Sequence, residues 1–360
     1  MVARLKNRST RDVNWLSFFK HTKVSFCLIF SVQTPTTVRC RFISRIKVHF
    51  ASMKVFLLSP IAHQLLSDEQ IEQLQSAGEL VIINKIKPIQ ELPDLTSGDE
   101  DRILAIDPDF CQWKITNEDI NKIPKLKAIV LQTTSFSYID IAYCKEKGIS
   151  VVNLRGFSSL AVAEWAIMAA LNLARKIPLL IQDGWKLNFN KHKGYELRGK
   201  TAGIIGLGRI GRLVAENCMG IGMKVNYWSR QTRDDRFTFS EISDLMSSCD
   251  VIFLALPRNE ETSVLLTEEL LRSMKKSTIF VRTGFPPNHE LLLRMIKDGD
   301  LYGYAFDEDE STFGECQGNV WASPPNAWLT NESTNSNAEQ WVDAIVRAVN
   351  GDYTNAVNAL

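Results

Sequence analysis

Six residues near the middle of the chain read Gly206-Leu207-Gly208-Arg209-Ile210-Gly211, directly after an apolar run at 202–205 and before a helical pattern at 210–219. A glycine-rich turn between a strand and a helix is the context in which a dinucleotide is bound. The first glycine permits the tight turn, the second lets main chain approach a pyrophosphate, and the third lets the helix pack on the strand. We therefore predict that this turn and the helix N-terminus cradle the phosphates of a dinucleotide.

From Met53 onward, the chain alternates short apolar runs with helical segments, as a parallel sheet with crossover helices does. The helix predicted over 158–175 has little polar face, so we expect it to be buried, in a position between two domains. The fold class is therefore α/β. Strands are predicted at 54–58, 81–84, 102–106, 128–132, 149–153, 202–205, 224–228, 251–256, 278–281, 301–306 and 320–322.

The composition of the 360-residue chain is that of an ordinary globular protein, with 45% hydrophobic and 23% charged residues. This length predicts about two domains and a large core, which excludes fibrous, disordered and small disulfide-stapled classes. The formal net charge of +1 argues against a protein that coats nucleic acid or an anionic membrane. No apolar run approaches the roughly 18 residues that a membrane helix needs.

Residues 1–52 differ in charge from the rest of the chain. They contain ten Lys and Arg residues but only one acid, Asp12, which leaves 32 basic and 40 acidic residues in 53–360. An Arg-rich, Ser/Thr-rich segment is typical of a mitochondrial transit peptide. Met53, however, is followed directly by a predicted strand, as a true start would be. Both interpretations stay open, and in both the segment is an extension outside the fold.

The seven cysteines include no C-x-x-C pair and form no cluster with histidine. We therefore predict no metal site and no disulfide framework. Free cysteines are typical of a reducing compartment, so we expect a cytoplasmic protein, or a mitochondrial one if 1–52 is a transit peptide.

The residues after the predicted strand at 224–228 bear on the choice between NAD and NADP. A protein that prefers NAD places an acidic residue there, on the ribose hydroxyls. This chain instead has Ser229, followed by Arg230 and Arg233, which leaves no charge to repel a 2′-phosphate and two cations to bind one. We therefore predict NADP as the preferred cofactor. The alternative is that these are solvated arginines balanced by the charges at 234–236.

Several further stretches make the chain resemble the D-isomer-specific 2-hydroxyacid dehydrogenases. That family includes glyoxylate and hydroxypyruvate reductases, phosphoglycerate dehydrogenase and the C-terminal-binding-protein corepressors. The likeness covers about 53–358. The stretches, in the family's order, are 126–130, 138–140, 148–153, 158–164, Trp185, 197–211, Leu256-Pro257, Glu261-Thr262, 305–307 and 355–358.

The resemblance implies a discontinuous substrate lobe, 53–156 plus 327–360, and an inserted NAD(P)-binding lobe, 157–326. Both lobes are expected to carry Rossmann-like or flavodoxin-like parallel sheets, with a small 2-oxo or 2-hydroxy acid bound in the cleft between them. A homodimer is expected, with 158–175 at its interface, and no nucleic-acid or membrane partner. The residues expected to bind NADP or NAD are Gly206, Gly208, Arg209, Ile210, Gly211, Ser229, Arg230, Arg233, Leu256, Pro257, Thr262 and Asp307.

The family reaction moves a hydride to or from C2 of the acid. It needs a cation for the carboxylate and carbonyl, a general acid/base, and a carboxylate that orients the base. The family supplies Arg, His and Glu, whereas the matching positions here hold Thr283, Pro325 and Thr312. Arg282 and Glu310 are the candidate catalytic replacements. Because adjacent strand residues face opposite sides, only a bulge or an irregular loop would bring Arg282 into the cleft.

Two further expectations concern groups around the substrate. His289 is the histidine nearest in sequence to the catalytic positions, but it begins a predicted helix, so we expect it to be exposed or to cap that helix. The family's carboxylate-binding loop corresponds to 133–137. There the backbone N–H groups of Ser135 and Phe136 are expected to hold the anion, although the family's glycine is missing.

Two functions follow from these departures. The first is an NADP-preferring reductase of small 2-oxo acids, such as glyoxylate or hydroxypyruvate, with a site rebuilt around Arg282 and either Glu310 or a water. The second is a catalytically inactive NADP(H)-binding sensor or interaction protein, because loss of acid/base catalysis alone costs about 10²- to 10⁴-fold in rate.

Overall fold

The computed structural model of the chain describes residues 53–257, 259–284, 288–307 and 316–358. The predicted extension, 1–52, lies outside the described residues. Within those ranges, no helix is long and apolar enough to cross a membrane. The same ranges contain no group of three or more His, Cys, Asp or Glu side chains placed to hold a metal ion.

The first sheet is parallel, and its strand order is β2-β1-β3-β4-β5. This is the flavodoxin-like order, in which the winding reverses between β1 and β3. Apolar clusters cover both faces of the sheet, which is why its strands are almost continuously apolar. The strands are β1 Lys54–Leu58, β2 Glu79–Ile83, β3 Arg102–Ile106, β4 Leu126–Leu131 and β5 Ser150–Val152, and the helices are α1 Ala62–Leu65, α2 Asp68–Ala77, α3 Pro93–Thr96, α4 Asn117–Asn121 and α5 Ile141–Glu146.

The second sheet is also parallel, with the order β12-β11-β10-β9-β6-β7-β8. Its winding reverses at β6, as in dinucleotide-binding Rossmann sheets. Its strands are β6 Thr201–Ile205, β7 Lys224–Trp228, β8 Thr238–Phe239, β9 Val251–Leu254, β10 Ile279–Arg282, β11 Gly303–Asp307 and β12 Val320–Ser323. The remaining helices are α6 Ser159–Ala174, α7 Ile177–Gln182, α8 Phe189–His192, α9 Arg209–Gly220, α10 Ile242–Ser248, α11 Glu260–Ser263, α12 Glu268–Arg272, α13 His289–Asp298 and α14 Asn331–Val349.

Helix α6, predicted to be buried between two domains, is buried on one face only. Its main contacts are with α9, β10, β11 and β12, so it lies on the second sheet. Alanines such as Ala163, Ala166 and Ala170 are buried there. On the opposite face, Leu160 and Leu171 are 55% and 41% exposed. The predicted burial is therefore confirmed for one face of the helix only, because the sequence pattern of a helix with an exposed apolar face resembles that of a fully buried helix.

The C-terminal segment returns to the first sheet. In α14, the buried Trp341 donates its indole N–H to the Val130 carbonyl at 3.2 Å. Beyond α14, the Val357 N–H donates to the Val151 carbonyl at 2.8 Å, and the Asn358 side chain accepts from Val151 N–H. The last described residues therefore extend the edge of β5.

Candidate functional site

The glycine turn lies at the carboxyl end of β6, and each glycine meets a different steric requirement. Gly206 has φ +103°, and a Cβ there would lie 2.7 Å from the Ala255 carbonyl oxygen. A Cβ on Gly211 would lie only 1.9 Å from the Gly206 oxygen, so α9 packs directly on the turn. A Cβ on Gly208 would meet nothing within 4 Å, which leaves open space in front of the N-terminus of α9. This space fits a pyrophosphate, which needs close backbone approach and free N–H groups.

Arg209 is the first residue of α9, but its side chain leads away from the glycine turn. It lines a cleft of about 490 Å³ with Arg155 and residues of α14. Its Cδ lies 3.2 Å from where a Cβ on Gly156 would be. Arg209 and Ile210 are therefore placed to offer backbone N–H groups to a phosphate, as helix N-termini do.

The ribose end of the predicted site follows β7. Ser229 is 9% exposed, and its hydroxyl accepts the Thr232 N–H at 3.3 Å. Arg233 donates to the Ser229 carbonyl at 2.7 Å and lies over the Phe239 ring, 4.2 Å from its centroid. Arg230 forms an ion pair with Glu261. Both arginines thus lie beside the glycine turn, because β6 and β7 are neighbours.

The alternative that Arg230 and Arg233 are balanced by 234–236 does not match these contacts. Asp234 instead binds Arg236 and Arg212, at 2.8 and 2.7 Å. The hydrogen bond from Arg236 contributes most to lowering the pKa of Asp234, to about 2. Asp234 is therefore a fully ionised carboxylate whose charge is already compensated by other arginines.

The other predicted cofactor residues lie along the same edge of the sheet. Leu256 packs against the glycine turn, since a Cβ on Gly206 would lie 2.7 Å from its Cδ2. Thr262 donates its hydroxyl to the Pro257 carbonyl at 2.6 Å, which ties α11 to the loop after β9. Asp307 is the last residue of β11, separated from β6 by β10 and β9.

Arg282 is the last residue of β10, and the strand is regular through it. Its register with Leu254 continues that of the preceding three pairs, so there is no bulge up to this residue. Arg282 is 2% exposed, its guanidinium lies over the Phe306 ring at 5.2 Å, and it donates to the Gly284 carbonyl at 2.9 Å. Its catalytic role stays a prediction, and the bulge on which that prediction depends is not seen in β10.

Two of the three departures from the family's catalytic set fall on described residues. The Thr283 hydroxyl donates to the Leu254 carbonyl at 3.1 Å, so it is bound to main chain. Pro325 is exposed, in the connector between β12 and α14. Glu310 and Thr312 lie outside the described residues.

His289 does not have the exposed or capping role expected of it. It is half-buried, its Nδ1 lies 3.0 Å from the Tyr304 hydroxyl, and its ring packs edge-on against Phe306 at 4.7 Å. The cap of α13 is the Asn288 side chain, which accepts the Leu291 N–H at 3.2 Å. The expectation was wrong because β11 lies beside the start of α13, which helix position alone does not reveal.

The predicted substrate loop, 133–137, follows β4. The Ser135 N–H donates to the Thr133 hydroxyl at 3.3 Å, whereas the Phe136 N–H has no acceptor among the described residues. The Thr134 carbonyl accepts from the Asn153 side chain at 2.6 Å, which fixes the loop to the connector after β5. Of the two predicted donors, Phe136 is thus the one still able to bind an anion directly.

A buried carboxyl group near this loop escaped the sequence analysis. Asp107 follows β3 and is 3% exposed, and it accepts from the Ser59 hydroxyl at 2.7 Å at the end of β1. Burial raises the pKa of Asp107 above the ordinary aspartate value. The pair lies where the winding of the first sheet reverses, the usual ligand position of such sheets. The sequence signal that could have identified it is an acidic residue directly after strand β3, which is fully buried.

Comparison with known proteins places this geometry in a family. Residues 167–331 match the family model described as "D-isomer specific 2-hydroxyacid dehydrogenase, NAD binding domain". The chain is 30% identical over 267 residues to a glyoxylate reductase of Thermococcus litoralis, a match that covers 68% of this chain and 81% of that one. It is 32% identical over 223 residues to a glyoxylate reductase of Thermofilum pendens, covering 58% of this chain and only 65% of that relative.

A solved structure has the same overall architecture. It is described as an acyclic imino acid reductase in complex with NADPH and D-Arg. Its TM-score is 0.72 and its sequence identity is 26%, over 85% of this chain and 99% of that one. All three similar proteins bear the names of reductases, so the comparisons give no support to a catalytically inactive protein.

Proposed function

Because the chain belongs to the D-isomer-specific 2-hydroxyacid dehydrogenases, we propose that it is a reductase of small 2-oxo acids that prefers NADP(H) to NAD(H). The observation that carries this proposal is the glycine turn, in which Gly206 and Gly211 exclude any Cβ while Gly208 leaves space for a phosphate. The bound cofactor supplies the hydride, which passes to C2 of the oxo acid while the oxygen takes up a proton. The product is a 2-hydroxy acid.

We assign cofactor binding to the lobe 157–326 and substrate binding to the lobe 53–156 plus 327–360. The packing of α14 and the pairing of 357 with β5 support this division, because they join the C-terminal segment to the first sheet. The substrate carboxylate is assigned to the Phe136 N–H, with the loop held by Asn153. The Ser135 N–H can bind the carboxylate only after its hydrogen bond to the Thr133 hydroxyl is broken.

The preference for NADP(H) rests on the residues after β7. Ser229 stands at the sequence position where an acidic residue would bind the ribose, and Arg230 and Arg233 lie beside the glycine turn. A 2′-phosphate accepts charge-assisted hydrogen bonds from arginine. Titration of the full chain by cofactor fluorescence should give tighter binding of NADPH than of NADH. Equal or tighter binding of NADH would remove this part of the proposal.

The source of the proton is the main departure from the family. The Thr283 hydroxyl is bound to the Leu254 carbonyl and Pro325 has no ionisable group. We therefore propose a water, or Glu310, as the proton donor, and we assign no catalytic role to Arg282, whose side chain is buried over the Phe306 ring. The test is NADPH consumption at 340 nm with glyoxylate, hydroxypyruvate and phenylpyruvate. Absence of turnover with all three, while NADPH still binds, would overturn the proposed reaction.

Reduction of an imino acid is a second candidate function. A protonated imine already carries positive charge on nitrogen, so hydride transfer to its carbon needs no proton donor and no cation to polarise the C=N bond. Those are the groups that Thr283 and Pro325 do not provide, and the similar structure with NADPH and D-Arg is described as an imino acid reductase. Turnover of a 2-oxo acid that requires added methylamine, with an N-methyl amino acid as product, would favour this candidate over carbonyl reduction.

A homodimer is part of the proposal, supported by an apolar surface beside α6. Leu160 and Leu171 on α6 are 55% and 41% exposed, and Trp185, Leu187 and Phe189, which follow α7, are 65%, 78% and 75% exposed. Large exposed apolar patches are typical of protein interfaces. Light scattering coupled to size-exclusion chromatography should give twice the chain mass, and a monomer at micromolar concentration would contradict the proposal.

The place of action is proposed to be the cytoplasm, with the mitochondrial matrix as the alternative if 1–52 directs import. The support is the reducing environment that cysteines such as Cys144 and Cys218, free and buried, are suited to. Imaging of the full chain and of 53–360, each with a C-terminal fluorescent tag, separates the two compartments.

A further inference from the structure

The ion pair between Arg230 and Glu261 crosses the mouth of the nucleotide groove. Strand β6 lies between β7 and β9, and Arg230 follows β7 whereas Glu261 lies in α11, after β9. A contact between these two residues must therefore pass over the carboxyl end of β6, where Gly206 begins the turn. Strands two positions apart are about 10 Å from each other, a gap that two long side chains together can bridge.

The Glu261 side of the bridge is held by local structure. The side chains and backbone N–H groups of Asn259 and Thr262 satisfy each other in a capping box, at 2.8 and 3.0 Å. Thr262 is also bonded to the Pro257 carbonyl. This one-turn helix thus fixes the backbone of Glu261 opposite the loop after β7.

On the Arg230 side of the bridge, the described residues provide no anionic partner other than Glu261. Among the described residues, Glu261 is the one carboxylate that contacts Arg230, and no carboxylate contacts Arg233. Asp234 is occupied by Arg236 and Arg212. The charge that a 2′-phosphate would meet at this end of the groove is therefore set by Arg230 together with Glu261.

We propose that Glu261 is a specificity-determining residue, which holds Arg230 across the groove in the free protein and competes with the 2′-phosphate of NADP(H) for it. The inference rests on the proposed NADP(H) binding of the same site. A phosphate monoester carries about −1.5 to −2 charges and three acceptor oxygens, so it displaces a carboxylate of a single charge. The ribose of NAD(H) offers only hydroxyl groups there and leaves the pair in place. Glu261 therefore weakens the binding of NADP(H) and hardly affects NAD(H).

The test is a set of fluorescence titrations of the full chain with NADPH and NADH at low ionic strength. Both side chains of the pair are exposed, and such pairs shift an equilibrium modestly, so Glu261→Gln should tighten NADPH binding about two- to fivefold. NADH binding should stay unchanged. Arg230→Gln should weaken NADPH binding, and Glu261→Gln should have no effect in that background. Glu269→Gln, which removes an exposed charge on α12, is the matched control and should change neither affinity.

Three results would overturn the inference. They are unchanged or weaker NADPH binding in Glu261→Gln, an equal change for both cofactors, and a gain that persists in the Arg230→Gln background. A wild-type protein that binds NADH more tightly than NADPH, but in which Glu261→Gln still favours NADPH, would contradict only the proposed cofactor preference. The two failures are thus distinguishable.

Discussion

The two ends of the predicted cofactor site depend on different properties of the chain. At the phosphate end, Gly206, Gly208 and Gly211 contribute backbone geometry and empty space. At the reaction end, the family's chemistry depends on the identity of single side chains, and this chain has Thr283 and Pro325 in place of two of them. A backbone cradle survives changes in the side chains around it, whereas one substitution removes an acid or a cation. This chain could therefore bind the cofactor without catalysing the family's reaction. The fold alone supports cofactor binding but not the reaction.

The largest expected effect is at the phosphate end, in Gly211→Ala. Its Cβ would lie 1.9 Å from the Gly206 oxygen, and a backbone atom cannot move aside as a flexible side chain can. We expect a loss of about 3 kcal/mol in the free energy of unfolding, at the upper end of overpacking effects, together with loss of NADPH binding. Denaturant unfolding and fluorescence titration measure the two.

Gly208→Ala is the matched control for that substitution. A Cβ on Gly208 meets nothing within 4 Å, so stability should stay unchanged while NADPH binding weakens, since the methyl group occupies the space assigned to the phosphates. Unaltered NADPH binding in Gly208→Ala would show that the pyrophosphate does not lie against this turn.

At the reaction end, Arg282→Ala tests whether the nearest arginine serves stability or catalysis. The Arg282 side chain is buried against Phe306 on the face that also buries Phe280. Truncation should cost about 2 kcal/mol of stability, as the removal of a large buried side chain does, with turnover per folded molecule unchanged. The measurements are thermal unfolding and initial rates at 340 nm. A normal unfolding temperature with abolished turnover would mean that Arg282 reaches the substrate.

Pro325→His tests whether the connector after β12 still places residue 325 where the family's catalytic histidine would act. If the connector after β12 has that geometry, the new imidazole can donate a proton to the carbonyl oxygen. Without the partner Arg and Glu, we expect about a tenfold gain in kcat for glyoxylate, below the usual range for general acid catalysis. Pro324→His is the control, because it places the same ring one residue away. An equal gain in both variants would contradict a specific proton donor.

The sequence alone predicted those parts of the fold and site that depend on residues close together along the chain. The predicted strands at 54–58 and 102–106 agree with β1 and β3 residue for residue, because a buried strand has a continuous apolar run. The strand predicted at 224–228 also agrees with β7, whose buried and less buried residues alternate. The two-residue β8 was missed because it is too short to show any periodicity.

Contacts between distant residues could not be predicted in the same way. His289 meets Tyr304 from a neighbouring strand, and Arg230 meets Glu261 across β6. Neither pair has a spacing that a single sequence reveals, because each depends on the order of strands in the sheet. Ser59 and Asp107 are 48 positions apart and meet for the same reason, since β1 pairs with β3.

The smallest expected effect concerns the Asp107 carboxyl group. Because burial raises its pKa in the folded state, the folded protein binds this proton more tightly than the unfolded chain does. Stability therefore falls as the pH rises from the ordinary aspartate range through the raised pKa.

Asp107→Asn keeps an oxygen acceptor for Ser59 but cannot ionise, so its stability should no longer fall with rising pH in this range, and it should be more stable than the wild type at neutral pH. The expected gain is below about 1 kcal/mol, since the hydrogen bonds from Ser59 and Asp109 partly offset the burial. Urea unfolding at a series of pH values measures it, with Asp94→Asn, at an exposed aspartate outside the surroundings of Asp107, as the control. Parallel pH profiles for the wild type and Asp107→Asn would show that the carboxyl group is ionised without penalty, and hence that water reaches the point where the winding of the first sheet reverses.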